Sequence, residues 1–284
     1  MSRRGGHRAR VTRDGLQPGR RGVGGRPAAA LTALVAVLLL AGCGATGSPR
    51  ADASPRGGIE SGSGVTGTVT VLAAASLTES FDAIAAKLER AHPGLTVEVS
   101  YGSSATLVQQ VNQGAPADVV ALAGEAAAKP LDPARVRSSD TFASNSLEIA
   151  VPPSNPGHVT SLTDLSGLDL KVVLCEVTVP CGKAAAATLA KATVEPHVVS
   201  REIDVKATLA KVSLGEADAA IVYHSDVVAA KGAVSGIPIP AELNTTLDYP
   251  IIRLDDEAAT RVFVHAVLSP QGRATLTSLG FGPP

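Results

Sequence analysis

From residue 68 onward, short β-branched runs alternate with stretches of helical periodicity, and this alternation leaves few folds open. Residues 68–74 (TVTVLAA) form a run rich in Val and Thr, continuous enough for a strand buried on both faces. The run gives way at Ser76-Leu77-Thr78-Glu79, an S-x-x-E pattern that predicts a capping box. Leu77, Phe81, Ile84, Ala85 and Leu88 then recur at helical spacing until His92-Pro93-Gly94 interrupts them. Leu95, Val97, Val99 and Tyr101 alternate as a second strand. Ser103-Ser104 opens a second helix through Leu107, Val108 and Val111, which closes at Gly114, and residues 118–122 read as a third strand. A β-α-β-α-β order requires a parallel sheet with right-handed crossovers.

The pattern then restarts. Residues 146–151 read as a strand running into Pro152-Pro153, and residues 171–175 as another, followed by an Ala-rich helix over 182–192. A helix over 205–214, a strand over 219–223 and helices over 257–268 and 271–279 complete the chain. Two α/β units predict two lobes, each a mainly parallel sheet flanked by helices. Residues 67–145 and 250–284 form one lobe and 146–249 the other, joined by crossing strands near residues 146 and 250. Ligands of such sheets sit at the carboxyl ends of strands, where helices begin.

The amino terminus follows different rules. Residues 1–27 are rich in Arg and Gly, and residues 28–41 (AAALTALVAVLLLA) form an apolar run too short for a comfortable membrane span. Charged-then-apolar is the layout of a secretory signal. The run ends in Leu40-Ala41-Gly42-Cys43, which resembles a bacterial lipobox. Residues 1–42 are therefore expected to be a lipoprotein signal peptide and Cys43 the lipidated first residue of the mature protein. An ordinary signal with a coincidental Cys is the alternative. Arg20-Arg21 leaves both general and twin-Arg export open. Residues 43–66, rich in Gly, Ser, Ala, Thr and Pro, read as a flexible tether. The expected location is the outer face of the cytoplasmic membrane.

Composition excludes several functions. There are four Phe, three Tyr and no Trp, too few rings for a sugar-stacking cleft or a single-strand nucleic-acid platform. The net charge of −1 conceals +7 over residues 1–42 and −8 over the rest, a body that does not attract nucleic acid. Nucleophile-elbow, P-loop and H-E-x-x-H motifs are absent from the sequence, and the G-x-G-x-x-G spacings at 42–47 and 62–67 do not follow a strand and open a helix as a dinucleotide site requires. His92, His158, His197, His224 and His265 are scattered at no metal-ligand spacing, so neither a metal site nor a cofactor is expected.

What does recur is a small or hydroxyl-bearing residue where a helix follows a strand: Ser76, Ser103 and Ser104, Pro180-Cys181-Gly182, and Asp204-Val205. Tyr223 closes a late strand. Helix starts carry unpaired N–H groups and partial positive charge, and so suit an anion. Each Ser could equally do no more than cap its own helix. Cys175 and Cys181 lie six positions apart, at a strand end and the following helix start. In an oxidising compartment they are a candidate disulfide, with two buried thiols as the alternative.

Four motifs make the anion reading specific. A-A-A-S-L-T at 73–78, Y-G-S-S-A-T-L at 101–107, G-A-P-A-D at 114–118 and I-V-Y-H-S-D at 221–226 resemble the periplasmic molybdate-binding proteins of ABC importers. N-S-L at 145–147, Y-P at 249–250 and L-G-F at 279–281 extend the resemblance in order over nearly all of residues 67–284. It implies a type II periplasmic-binding-protein fold with molybdate or tungstate held between the lobes and delivered to a membrane permease by a monomer. It also implies that Ser76 and Ser104 bind from one lobe. The N–H groups of Cys181 and Val205 and the Tyr223 hydroxyl would bind from the other. Cys181 stands where the family commonly has Ala, and Ala105 where another hydroxyl often sits. Sulfate or phosphate as ligand, a secreted serine hydrolase using Ser76 or Ser104, and a surface adhesin or structural lipoprotein with no small ligand remain as alternatives.

Overall fold

The computed structural model describes residues 64–284; the expected signal peptide, Cys43 and residues 43–63 of the expected tether lie outside the described residues. β1 (Gly67–Ala74) is followed by a 3-10 turn (Ala75–Leu77) and α1 (Thr78–Ala91). β2 (Leu95–Gly102), α2 (Ser104–Asn112) and β3 (Val119–Ala121) complete the first unit. β1 is hydrogen-bonded in parallel to β2 on one side and β3 on the other. The single-turn α3 (Glu125–Ala128) leads toward the long β4 (Ser138–Val151). The second unit runs β5 (Val172–Cys175), α4 (Pro180–Ala192), β6 (Val198–Glu202), α5 (Val205–Ser213) and β7 (Ala219–Tyr223). Here β5 is the parallel strand in the middle, between β6 and β7. The short α6 (His224–Ala229), β8 (Ser235–Pro238) and β9 (Thr246–Arg253) follow, and α7 (Ala258–Leu268) and α8 (Pro270–Ser278) close the chain.

The strand order is β2-β1-β3-β9-β4-β7-β5-β6, with β8 paired to β4. Each unit therefore puts its first strand in the middle, and the carboxyl ends of both sets face the junction. The two long strands at that junction run antiparallel to everything they touch: β9 to β3 and β4, and β4 to β7 and β8. The parallel expectation thus describes each unit, while the joining strands are antiparallel. β4 is also eight residues longer than the strand expected over 146–151, because its first half is polar and shows no alternation.

One apolar core runs through both units, from Val69 and Phe81 through Ile149 to Leu174 and Ile221. Helix α1 contributes Phe81, Ile84 and Leu88 to it, each worth about 1.5–3 kcal/mol of transfer free energy. The scarce aromatics are concentrated rather than dispersed. Phe81 contacts Phe142 and Phe263, while Tyr249 contacts Phe142, Phe281 and Tyr223, all with ring centroids 5.5–6.2 Å apart. All four Phe and two of the three Tyr form this one chain of rings, and it ends at Tyr223. No helix of the described residues is long and apolar enough to cross a membrane.

Candidate functional site

A cavity of about 20 Å³ sits where the two units meet, and Ser76, Ser104, Cys181, Val205 and Tyr223 all line it. Topology explains why five residues so distant in sequence come together. Ser76 follows β1 and Cys181 follows β5, the middle strand of each unit; Ser104 follows β2 and Val205 follows β6. Each crossover helix begins at the carboxyl end of its strand, so four helix starts of two equivalent units converge. Such a cavity is larger than the ~10–15 Å³ that one water needs, and not by much.

The four strand-to-helix connections are built differently. At Ser76 the structure overturns the capping-box expectation. A 3-10 turn intervenes, the N-cap of α1 is Leu77 with no side-chain cap, and the Ser76 hydroxyl turns inward to Tyr249 Oη at 3.0 Å. At α2 the capping duty falls to Ser103, whose Oγ accepts from the Thr106 N–H. Ser104 is left free, and its Oγ accepts from the Ala123 N–H at 2.9 Å. At α4 the N-cap is Val179, with no side-chain cap, and Pro180 has no N–H to offer. The N–H groups of Cys181 and Gly182 are then the first of the helix and have no intrahelical acceptor. At α5, Asp204 caps Ala207 N–H at 2.9 Å and leaves the Val205 N–H at the first helical position.

Cys175 and Cys181 are joined by a disulfide across a Cα–Cα distance of 5.8 Å, which ties the end of β5 to the start of α4. Gly182 is required beside it: a Cβ there would collide with the Glu176 carbonyl, so the helix start packs directly on the preceding turn.

Hydrogen-bond direction gives the cavity a polarity. Asn145 Nδ2 can only donate, and it reaches Tyr249 Oη at 3.4 Å and Ser225 Oγ at 2.7 Å. Tyr249 therefore accepts from Asn145, and with its O–H turned to Ser76 the Ser76 proton is free for the cavity; the 3.0 Å bond between them is compatible with either hydroxyl as donor. Ser104 accepts from a backbone N–H and is free in the same way. Burial pushes the phenols of Tyr223 and Tyr249 well above the usual tyrosine range, so both stay protonated. Tyr223 is 2% exposed, and its hydroxyl makes no aligned hydrogen bond within the protein, although the Tyr249 hydroxyl lies close to it. The cavity is thus lined by O–H and N–H donors, with no positively charged side chain on its walls. Its single lining carboxylate, Asp204, is engaged in capping.

The residues that prepare these donors, Tyr249, Asn145 and Ala123, carried no functional signal of their own in the sequence. Tyr249 and Asn145 stood out only within the motifs Y-P and N-S-L. Neither Ser76 nor Ser104 is bonded to a His, as a nucleophilic serine would be. No group of three or more His, Cys, Asp or Glu among the described residues is placed to hold a metal ion. A larger cavity of about 560 Å³ opens alongside, between α2 and α4, and shares Ala123 and Pro180 with the first. Its walls mix Ala, Val and Leu with Gln109, Asn112, Gln113, Thr178, Lys183 and Thr245, and Asn112 there is already bonded to Pro130 and Asp132.

Comparison with known proteins agrees with this geometry. Residues 69–282 match the model of the bacterial extracellular solute-binding protein family. The molybdate-binding protein of Mycobacterium tuberculosis is 33% identical over 258 residues, covering 89% of this chain and 97% of that protein. The molybdate-binding protein of Escherichia coli is 30% identical over 233 residues, covering 76% of this chain and 89% of that protein. Among solved structures, the periplasmic molybdate-binding protein of Azotobacter vinelandii superimposes with a TM-score of 0.67 at 20% identity. That match covers 76% of this chain and 99% of the other and speaks to the fold, a central sheet flanked by helices as in type II binding proteins.

Proposed function

Because the chain belongs to the bacterial extracellular solute-binding protein family, we propose that it captures molybdate, or the equivalent tungstate, outside the cytoplasm for an ABC importer. It is a transport component rather than an enzyme, and molybdate is its cargo and not a cofactor. The observation that carries the reading is the Tyr223 hydroxyl, buried and without an aligned hydrogen bond in a cavity of donors. Molybdate at neutral pH is a tetrahedral dianion with four acceptor oxygens and no proton to give. A host that only donates satisfies it completely, whereas a buried acceptor would face repulsion. Helix starts supply neutralising charge without a fixed cation.

In this reading Ser76 and Ser104 bind from one lobe. The Cys181 and Val205 N–H groups and the Tyr223 hydroxyl bind from the other. The lobes are residues 67–145 with 250–284, and residues 146–249, and they close over the anion about β4 and β9. The protein acts as a monomer held at the membrane by a lipid on Cys43. Calorimetric titration with molybdate, tungstate, sulfate and phosphate tests the ligand: tight binding of the first two with rejection of the others is expected. Preference for sulfate or phosphate would overturn it. Mass spectrometry of the membrane-associated protein tests the anchor, and a mature chain that starts elsewhere than Cys43 would refute that part alone.

A further inference from the structure

Beside the cavity, one lysine joins the two units. Lys206 directly follows Val205 at the start of α5, and its Nζ lies 2.8 Å from both carboxylate oxygens of Glu79. Glu79 belongs to α1 of the other unit, three residues after Ser76. The same Nζ lies 3.3 Å from Asp226 Oδ1. Asp226 is fully buried in α6, and its other oxygen accepts from the Tyr223 N–H at 3.2 Å. A single ammonium therefore bridges the residue after one cavity-lining N–H, the helix that follows Ser76, and the carboxylate beneath Tyr223.

Neither of the other carboxylate's bonds explains this arrangement. Asp226 Oδ1 has no aligned hydrogen bond, so Lys206 is the cation facing it, and a buried carboxylate without a cation is costly. Glu79 could reach solvent, being 38% exposed at the side chain, yet it is drawn across the junction to Lys206. The pair to Asp226 lies within one unit and survives any separation of the two. The pair to Glu79 crosses between units and cannot.

We propose that Lys206 is a positioning residue whose ion pair with Glu79 latches the closed form around the anion, while its pair with Asp226 holds Tyr223 in register. The proposal rests on the oxyanion reading of the cavity. It makes a prediction of unusual sign. Glu79 is a negative charge near a site for a dianion, so removing it should tighten binding if field effects dominate. If the latch dominates, removing it should hasten release. A partly exposed ion pair supports about a two- to five-fold effect.

The test measures association and dissociation of radiolabelled molybdate on the full-length protein by rapid filtration, with the parent as reference. Glu79→Gln is expected to release molybdate about two- to five-fold faster at low salt, with association within about a factor of two. The difference from the parent should shrink in high salt, where the pair is screened. Lys206→Gln should release faster still, because Tyr223 loses its support as well, and Lys206→Arg should restore slow release. Release by Glu79→Gln at the parent rate or slower would overturn the latch. A change confined to association would overturn it too, since that signature belongs to steering. A parent protein that binds no oxyanion would instead refute the function proposed above, so the two failures are distinguishable.

Discussion

Tyr223→Phe tests the ligand-facing role of one atom that makes no aligned hydrogen bond in the protein. The hydroxyl is buried and protonated, with only the Tyr249 hydroxyl close by, so its deletion breaks no well-formed bond inside the fold. An uncompensated buried hydroxyl costs about 1–3 kcal/mol, and removing it can only relieve that cost in the ligand-free protein. Melting without ligand should therefore hold steady or rise, by about 2–4 °C for each kcal/mol relieved in a body of this size. With ligand the sign reverses. A hydrogen bond to a charged oxygen contributes about 1.5–3 kcal/mol, so molybdate affinity should fall about 10- to 150-fold. Titration calorimetry gives the affinity and scanning calorimetry the melting temperature. Tyr249→Phe is the contrast, since its hydroxyl is bonded to Ser76 and Asn145 and its loss should lower melting without ligand. Unchanged affinity in Tyr223→Phe would show that the hydroxyl does not meet the anion. A clear drop in ligand-free melting would show that it has a structural partner.

Ser104→Ala should weaken molybdate binding by a similar factor but, unlike Tyr223→Phe, also lower ligand-free melting, because it strands the buried Ala123 N–H; equal melting in calorimetry would refute the bond. Burial raises the Asp226 carboxyl from 3.8 to about 6, opposed by Lys206, so the folded state holds more protons than the unfolded between those values. Its contribution to stability is complete below about pH 4, falls as pH rises to about 6 and is level above. The total is about 3 kcal/mol at about 1.4 kcal/mol per pH unit. Urea unfolding across that range should show this fall in the parent and lose it in Asp226→Asn; identical profiles would refute the assignment. Gly182→Ala should push the start of α4 off the Glu176 carbonyl, weakening both folding and molybdate binding, and a titration indistinguishable from the parent would show that the Cys181 N–H is not needed in place.

The two α/β units were readable because parallel strands advertise themselves: 68–74 and 171–175 are apolar on both faces, and each is followed by helical periodicity. The joining strands were legible only in part: a strand over 146–151 and a crossing near 250 could be read, but not their full extent. The first half of β4, from Ser138 to Asn145, mixes buried and exposed polar residues without alternation, and β9 contains Pro250, which ordinarily argues against a central strand. The structure accommodates Pro250 beside an irregularity between Thr141 and Ala143, where the ladder is already interrupted. Four of the five cavity residues were legible as helix starts and Tyr223 as a strand end, since those properties are local. What each hydroxyl does was not. Ser76 matches a capping pattern, yet its partner is Tyr249, 173 positions away, and only the closed topology brings them together.

That distance explains how a site without a cationic side chain could select among oxyanions of one shape. Ser76 shares a hydrogen bond with Tyr249, which itself accepts from Asn145, and Ser104 accepts one from a backbone N–H. Ser104 thus has an oxygen lone pair already committed and its own proton still to give, and so does Ser76 when Tyr249 is the donor. A protonated oxyanion such as hydrogen phosphate needs at least one acceptor, and the nearest carboxylate, Asp204, is turned to its own helix. Protonation state can therefore be rejected by the direction of hydrogen bonds alone. Sulfate cannot be, because it too is a bare dianion, and its rejection falls to size. Size discrimination demands walls that do not follow a smaller ligand inward. The disulfide, the contact of Gly182 with Glu176 and the ring chain ending at Tyr223 brace those walls, while the Lys206 bridge governs how long they stay together. Selectivity and release are thereby assigned to different residues, and each can be altered without the other.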